Sequence, residues 1–104
     1  MFLRRRTEWT LADGDERHRL APDTFRVPSD EAKASVQAGD LVKLIFEPST
    51  GIAERMWVTV TTGGDQLVGT LNSDPAELHG LRAGDAIPFE HRHVIAIGRR
   101  PPSD

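Results

Sequence analysis

A Gly-Asp step occurs twice in this chain, each time directly before a strand-like run. That repeat restricts the fold more than any other feature. Ala38-Gly39-Asp40 precedes residues 41–46, and Ala83-Gly84-Asp85 precedes residues 86–89. Glycine accepts the positive φ that a tight turn demands, and aspartate can tie the turn through its own carboxylate. Two further strand candidates, 55–61 and 66–72, lie between the turns, so the pair frames a compact sheet.

The period-two pattern fills in that sheet. Val42, Leu44 and Phe46 alternate with Leu41, Lys43 and Ile45, which makes one face apolar and the other mixed. Pro48-Ser49-Thr50-Gly51 reads as a loop. In the next strand Met56, Val58 and Val60 share one face, while Arg55, Trp57, Thr59 and Thr61 share the other. Gly63-Gly64-Asp65 is a hairpin turn. Gly69 in the following strand marks a bulge or a place where another group passes closely.

The flanks are less regular. Ser29 can cap a helix whose first turn carries Asp30 and Glu31, which predicts a helix over 29–37 ended by Gly39. Asp74-Pro75 predicts one helical turn over 76–79, with Asp74 as its cap. Strand signals return at 87–89 and 94–97. Residues 1–24 read as an extended arm that lays Trp9 on the core, with Phe25 following, and its pairing is at most that of an edge strand. Residues 25–98 read as one domain, and 99–104, with Pro101-Pro102, as a disordered tail. The sum is an α+β, mainly β chain: about five strands in a strongly bent antiparallel sheet or partly open barrel, with one short N-terminal helix.

Composition narrows the function classes. A chain of 104 residues with 28% charged and 38% hydrophobic residues is sized for a single soluble domain. No apolar run approaches the roughly 20 residues of a membrane helix. Arg4-Arg5-Arg6 is followed by polar and acidic residues rather than an apolar signal core, so a cytoplasmic location is expected. The absence of cysteine removes disulfides, thiolate nucleophiles and cysteine metal sites. A net charge of −3 argues against a general nucleic-acid binder, although Arg4–Arg6 and Arg99-Arg100 concentrate basic charge at the ends.

Six segments in order resemble one bacterial group. They are Phe25-Arg26-Val27-Pro28-Ser29; Gly39-Asp40-Leu41-Val42-Lys43-Leu44; Glu54-Arg55-Met56-Trp57-Val58; Gly69-Thr70-Leu71-Asn72 with Asp74-Pro75; Leu81-Arg82-Ala83-Gly84-Asp85; and Phe89 with His93-Val94-Ile95. Together they are similar to the domain of unknown function 2314 family over about residues 25–97. Members often read Asn-Asp-Pro where this chain inserts Ser73. The resemblance implies a small bacterial domain with no assigned catalytic residues, so no active site is carried over.

Three candidate sites follow from the residues themselves. Trp57, on the polar strand face with Arg55 and Thr59, and with Glu54 and Asn72 at the margin, is a candidate partner-binding centre, because an exposed indole offers apolar area at little entropic cost. The competing reading has the arm or the 29–37 helix covering that face, which would make Trp57 ordinary core. His91 and His93 would share a strand face and, with Glu90, His79 or Asp85, are a conceivable metal set. Arg92 lies between them, however, and no other ligand sits at a recognised spacing, so two surface histidines on an edge strand are the preferred reading. Asn72, Asp74, Asp85 and Glu54 are a conceivable acid–base group, but turns and caps already account for the two aspartates, and Glu54 is expected to pair with Arg55 or Lys43. No phosphate loop, nucleophile elbow or serine-histidine-acid set is present.

The leading expectation is therefore a non-enzymatic module, without cofactor or metal, that binds an unknown protein partner or a second copy of itself. An immunity-type role that blocks a toxin is one form of it. The alternative is a small barrel that binds nucleic acid through Trp57, Arg4–Arg6, Arg55, Arg99 and Arg100. A metal protein or minor enzyme built on His91 and His93 comes third.

Overall fold

Alternation along the second strand sets the architecture. The computed structural model describes residues 9–98. Strand β2 (Leu41–Pro48) turns Val42, Leu44 and Phe46 inward, and all three are fully buried. Strand β3 (Glu54–Thr62) faces it antiparallel, with Val42 opposite Val58 and Leu44 opposite Met56. Strands β4 (Leu67–Leu71) and β5 (Ala86–Phe89) continue the meander and add Leu67, Leu71, Ile87 and Phe89 to the same interior. Burial of each such side chain stabilises the fold by roughly 1.5–3 kcal/mol before chain entropy is counted.

The sheet then turns back on itself. After Phe89 the chain makes a 3₁₀ turn (His91–His93) and returns as β6 (Ala96–Gly98), which pairs with β2 on the edge opposite β3. The remaining length of that edge is taken by β1 (Trp9–Leu11), with Trp9 opposite Pro48 and Leu11 opposite Phe46. Six antiparallel strands thus form a nearly closed, barrel-like sheet, and the expected bent sheet or partly open barrel stands. β1 and β6 lie end to end along one side of β2.

Each Gly-Asp turn is built the same way. The Gln37 N–H donates to Asp40 Oδ2 at 3.0 Å, and the Arg82 N–H donates to Asp85 Oδ2 at 3.0 Å. Gly39 and Gly84 sit at φ 97° and 94°, where a β-carbon would be strained. Each turn then docks on the neighbouring strand. Gly39 N–H donates to Val60 O, and Gly84 N–H to Leu71 O, both at 2.8 Å. The close-approach reading of Gly69 holds, while the bulge lies on the facing strand β3. A β-carbon there would lie 2.2 Å from Val58 Cγ1, and the pairing shifts by one residue at Thr61.

Several local expectations change. The 29–37 helix contracts to α2 (Asp30–Ala34), capped by Ser29 Oγ on the Ala32 N–H at 3.1 Å. Residues 76–79 form no helical turn, and Asp74 Oδ1 instead accepts from the Ala83 N–H at 2.9 Å. The arm is not simply extended. Asp13 caps a helix α1 (Gly14–Leu20) by accepting the Glu16 N–H at 3.0 Å. Asp15 of this helix pairs with Lys33, a lysine only 2% exposed, and so ties α1 to α2. Ala12, Ile45 and Ile95 form a second small apolar cluster, with Phe25 and Val27 packed over it. That cluster explains why Ile45, on the mixed face of β2, is nonetheless buried. Arg4–Arg6 and the tail from residue 99 lie outside the described residues.

Candidate functional site

The face of β3 opposite the core carries Arg55, Trp57 and Thr59, as the alternation requires. Trp57 is half-buried and belongs to neither apolar cluster among the described residues. Its ring lies across the outside of β2. Lys43, its cross-strand neighbour, places Nζ 5.0 Å from the ring centroid. A β-carbon on Gly98 of β6 would lie 3.4 Å from Trp57 Cζ3. Gly98 therefore leaves room for the indole edge, and the cation sits against its π face. Neither sequence reading of Trp57 captures this. The ring is not core, and it is not bare; it straps three strands from outside.

The neighbouring polar groups divide into two sets. Thr59 Oγ1 donates to Asn72 Oδ1 at 2.7 Å, and the Asn72 N–H donates to Trp57 O at 3.1 Å. Trp57, Thr59 and Asn72 are thus brought together. Arg55 is exposed and stands 5.7 Å from the Phe25 ring centroid; Arg17 approaches the same ring at 5.9 Å. Arg17 also pairs with Glu47 at 2.7 Å.

Glu54 has a different job from the one expected. It pairs with neither Arg55 nor Lys43. Its carboxylate accepts the backbone N–H groups of Ala76, Glu77 and Leu78 at 2.7, 3.1 and 2.9 Å. Burial pushes its pKa up, but the three donors together outweigh that and hold the carboxyl below its ordinary value. Glu54 thereby fixes the loop between β4 and β5 to the start of β3.

The histidine pair changes too. His91 and His93 lie on a three-residue 3₁₀ turn, not a strand, so a spacing of two no longer puts them on one face. His93 is buried, and its Nδ1 accepts the Glu90 N–H at 2.9 Å. Desolvation lowers its pKa first and the Arg92 charge adds to that, while Glu90 and Asp13 oppose. The carboxylates of Asp74, Asp85 and Glu54 each accept backbone N–H groups, so turn and loop ties occupy the acids of the imagined acid–base group.

Surface grooves also occur elsewhere among the described residues. One, of about 700 Å³, is bordered by Pro28, Ala32, Ser35, Gly39 and Ile97. The other, of about 410 Å³, lies between the 48–52 loop, with Ile52 exposed, and residues 77–79.

Lys43 and Phe25 are the members of the outer face that sequence reasoning missed. The hairpin register places Lys43 beside Trp57, and counting back from the Pro48–Gly51 loop would have found it. Phe25 comes from a segment 30 residues before Arg55, and no local signal joins them. No family model, curated protein or solved structure matches the chain, so the likeness read from its ordered motifs stands on those motifs alone.

Proposed function

We propose that this chain is a non-enzymatic interaction module whose outer sheet face, centred on Trp57, receives a protein partner or a second copy of itself. One observation carries the reading: a large aromatic lies on the outside of the sheet, apart from both apolar clusters, with Thr59 and Asn72 beside it. A half-buried indole on the outside of a sheet, with a hydroxyl and an amide side chain on neighbouring residues, has the composition of a binding hot spot. The commitment of Asp40, Asp74, Asp85 and Glu54 to backbone donors favours this over acid–base chemistry. The resemblance of the ordered motifs to the domain of unknown function 2314 family supports a bacterial setting for this module. Within the face, Arg55 flanks the centre, and Glu54 contributes by holding the 76–78 loop rather than by contact.

Site-directed photo-crosslinking tests the reading. A photoreactive side chain at Thr59 should yield one discrete adduct, either a dimer of the purified protein or a heterologous product. The same group at exposed Glu31 on α2 should not. Trp57→Ala, with its far-ultraviolet circular dichroism retained, should abolish the adduct. Equal adducts from both positions, or an adduct indifferent to Trp57→Ala, would remove the proposal.

A further inference from the structure

The charges on this face indicate what kind of partner it takes. Among the described residues Arg17, Arg19, Lys33 and Arg92 each form an ion pair with a carboxylate. Lys43 and Arg55 do not, and each is instead held against an aromatic ring, Trp57 and Phe25 respectively. They are also neighbours. Lys43 pairs with Trp57 and Ile45 with Arg55, so the two cations sit diagonally across the β2–β3 ladder, with β-carbons roughly 7–8 Å apart. The one carboxylate beside them on this part of β2, that of Glu47, is engaged by Arg17. Two cations over aromatic rings, with no carboxylate partner among the described residues, therefore occur side by side in a chain of net charge −3.

From this juxtaposition we infer that the face binds an acidic protein segment in extended conformation, with carboxylates at alternate positions. This rests on the binding-face reading above. Side chains two apart on an extended strand are separated by about 6.6–6.8 Å, close to the spacing of the two β-carbons that carry these cations. The carboxylates meet Lys43 and Arg55, and the residue between them lies over the exposed part of Trp57. Holding the cations against rings lowers the rotamer entropy lost on binding. The size of the patch also selects the occupant. A nucleic-acid strand carries its charge well beyond the Debye length of about 8 Å and would run from the two cations onto a net acidic surface. A short acidic segment does not.

The test uses a fluorescein-labelled Glu-Val-Glu-Val-Glu peptide, its Gln-Val-Gln-Val-Gln counterpart and a labelled single-stranded oligonucleotide, read by anisotropy on the full chain. The acidic peptide should bind and the glutamine peptide should not. Lys43→Gln and Arg55→Gln should each weaken binding about tenfold, the loss of one charge-assisted contact. Arg82→Gln, at an exposed cation in the second Gly-Asp turn, should leave it unchanged. The double reversal Lys43→Glu with Arg55→Glu should reject the acidic peptide and accept a Lys-Val-Lys-Val-Lys peptide, which no unfolded variant would do. Equal loss with Arg82→Gln, equal binding of the glutamine peptide, or binding of the oligonucleotide alone overturns the inference. A Thr59 crosslink that survives the double reversal also overturns it while leaving the binding face standing.

Discussion

Trp9 and Trp57 are the chain's two tryptophans; both are half-buried, and both lie against β2, yet they are held by opposite chemistry. Trp9 packs on the interior. Its ring centroid is 5.2 Å from that of fully buried Phe46, tilted by 58°, and it joins the main apolar cluster. Trp57 lies on the exterior between a cation and a glycine. Fractional burial alone does not separate an anchor of the fold from an anchor for a partner. The groups that cover each ring do.

Replacing the rings should expose that difference most strongly. Trp9→Ala removes an aromatic contact with the core and leaves a cavity beside Phe46, which should cost about 3 kcal/mol. Trp57→Ala gives up contacts on one side of a sheet plus one cation–π interaction, about 1.5 kcal/mol in all. Thermal or urea unfolding measures both. Equal losses would make Trp57 a second core residue and take the centre out of the proposed face.

A smaller effect should follow at Gly98. Valine there would place methyl groups where the Trp57 ring edge now lies, because even a β-carbon comes within 3.4 Å of Cζ3. The ring must lift, at about 1 kcal/mol. In a Trp9→Phe background the emission should move to the red and become more accessible to acrylamide. In a Trp57→Phe background, where Trp9 reports, Gly98→Val should change nothing. A shift at both rings would mean that β6 controls the whole sheet rather than its outer strap.

What was legible in the sequence was local. Val42, Leu44 and Phe46, and Met56, Val58 and Val60, announce their inward face by alternation alone. The Gly-Asp turns close within four residues, so their glycine and aspartate sufficed to predict them. The contacts that escaped span long separations. Glu54 reaches the N–H groups of residues 76–78, and Asp15 reaches Lys33 across a turn and a loop. Helix α1 did carry a signal, since Asp13 and Glu16 stand at capping spacing. Its first residue, Gly14, reads as a turn unless one knows that Ile95 packs against it: a β-carbon there would lie 2.9 Å from Ile95 Cγ2. The side of the sheet that Trp57 faces was readable. What covers it was readable only in part: the hairpin register yields Lys43, whereas Gly98 arrives from the last strand with no local signal.

The smallest effect is a pH slope that should reach the Trp57 end before the Trp9 end. His93 stands in the turn that delivers β6 to the edge of β2, and Gly98 at the end of β6 lies under the indole. Its Nδ1 accepts the Glu90 N–H, so the folded chain needs that nitrogen unprotonated. Burial, with the Arg92 charge second, depresses the folded pKa below 6.5; Glu90 and Asp13 oppose this without reversing it. A depressed pKa means that the unfolded chain takes the proton first as pH falls. The stabilisation is therefore complete above about pH 6.5 and is lost as pH drops from there through the lower folded value. Glu54, also depressed, adds a second loss only below its ordinary 4.5. From about pH 6.5 down to 4.5 the turn should begin to loosen while the loop held by Glu54 stays fixed. Trp57 in the Trp9→Phe background should become more accessible to acrylamide, Trp9 in the Trp57→Phe background should not, and His93→Gln should flatten the response. A parallel change at both rings would place the titration in global unfolding and separate it from the strap.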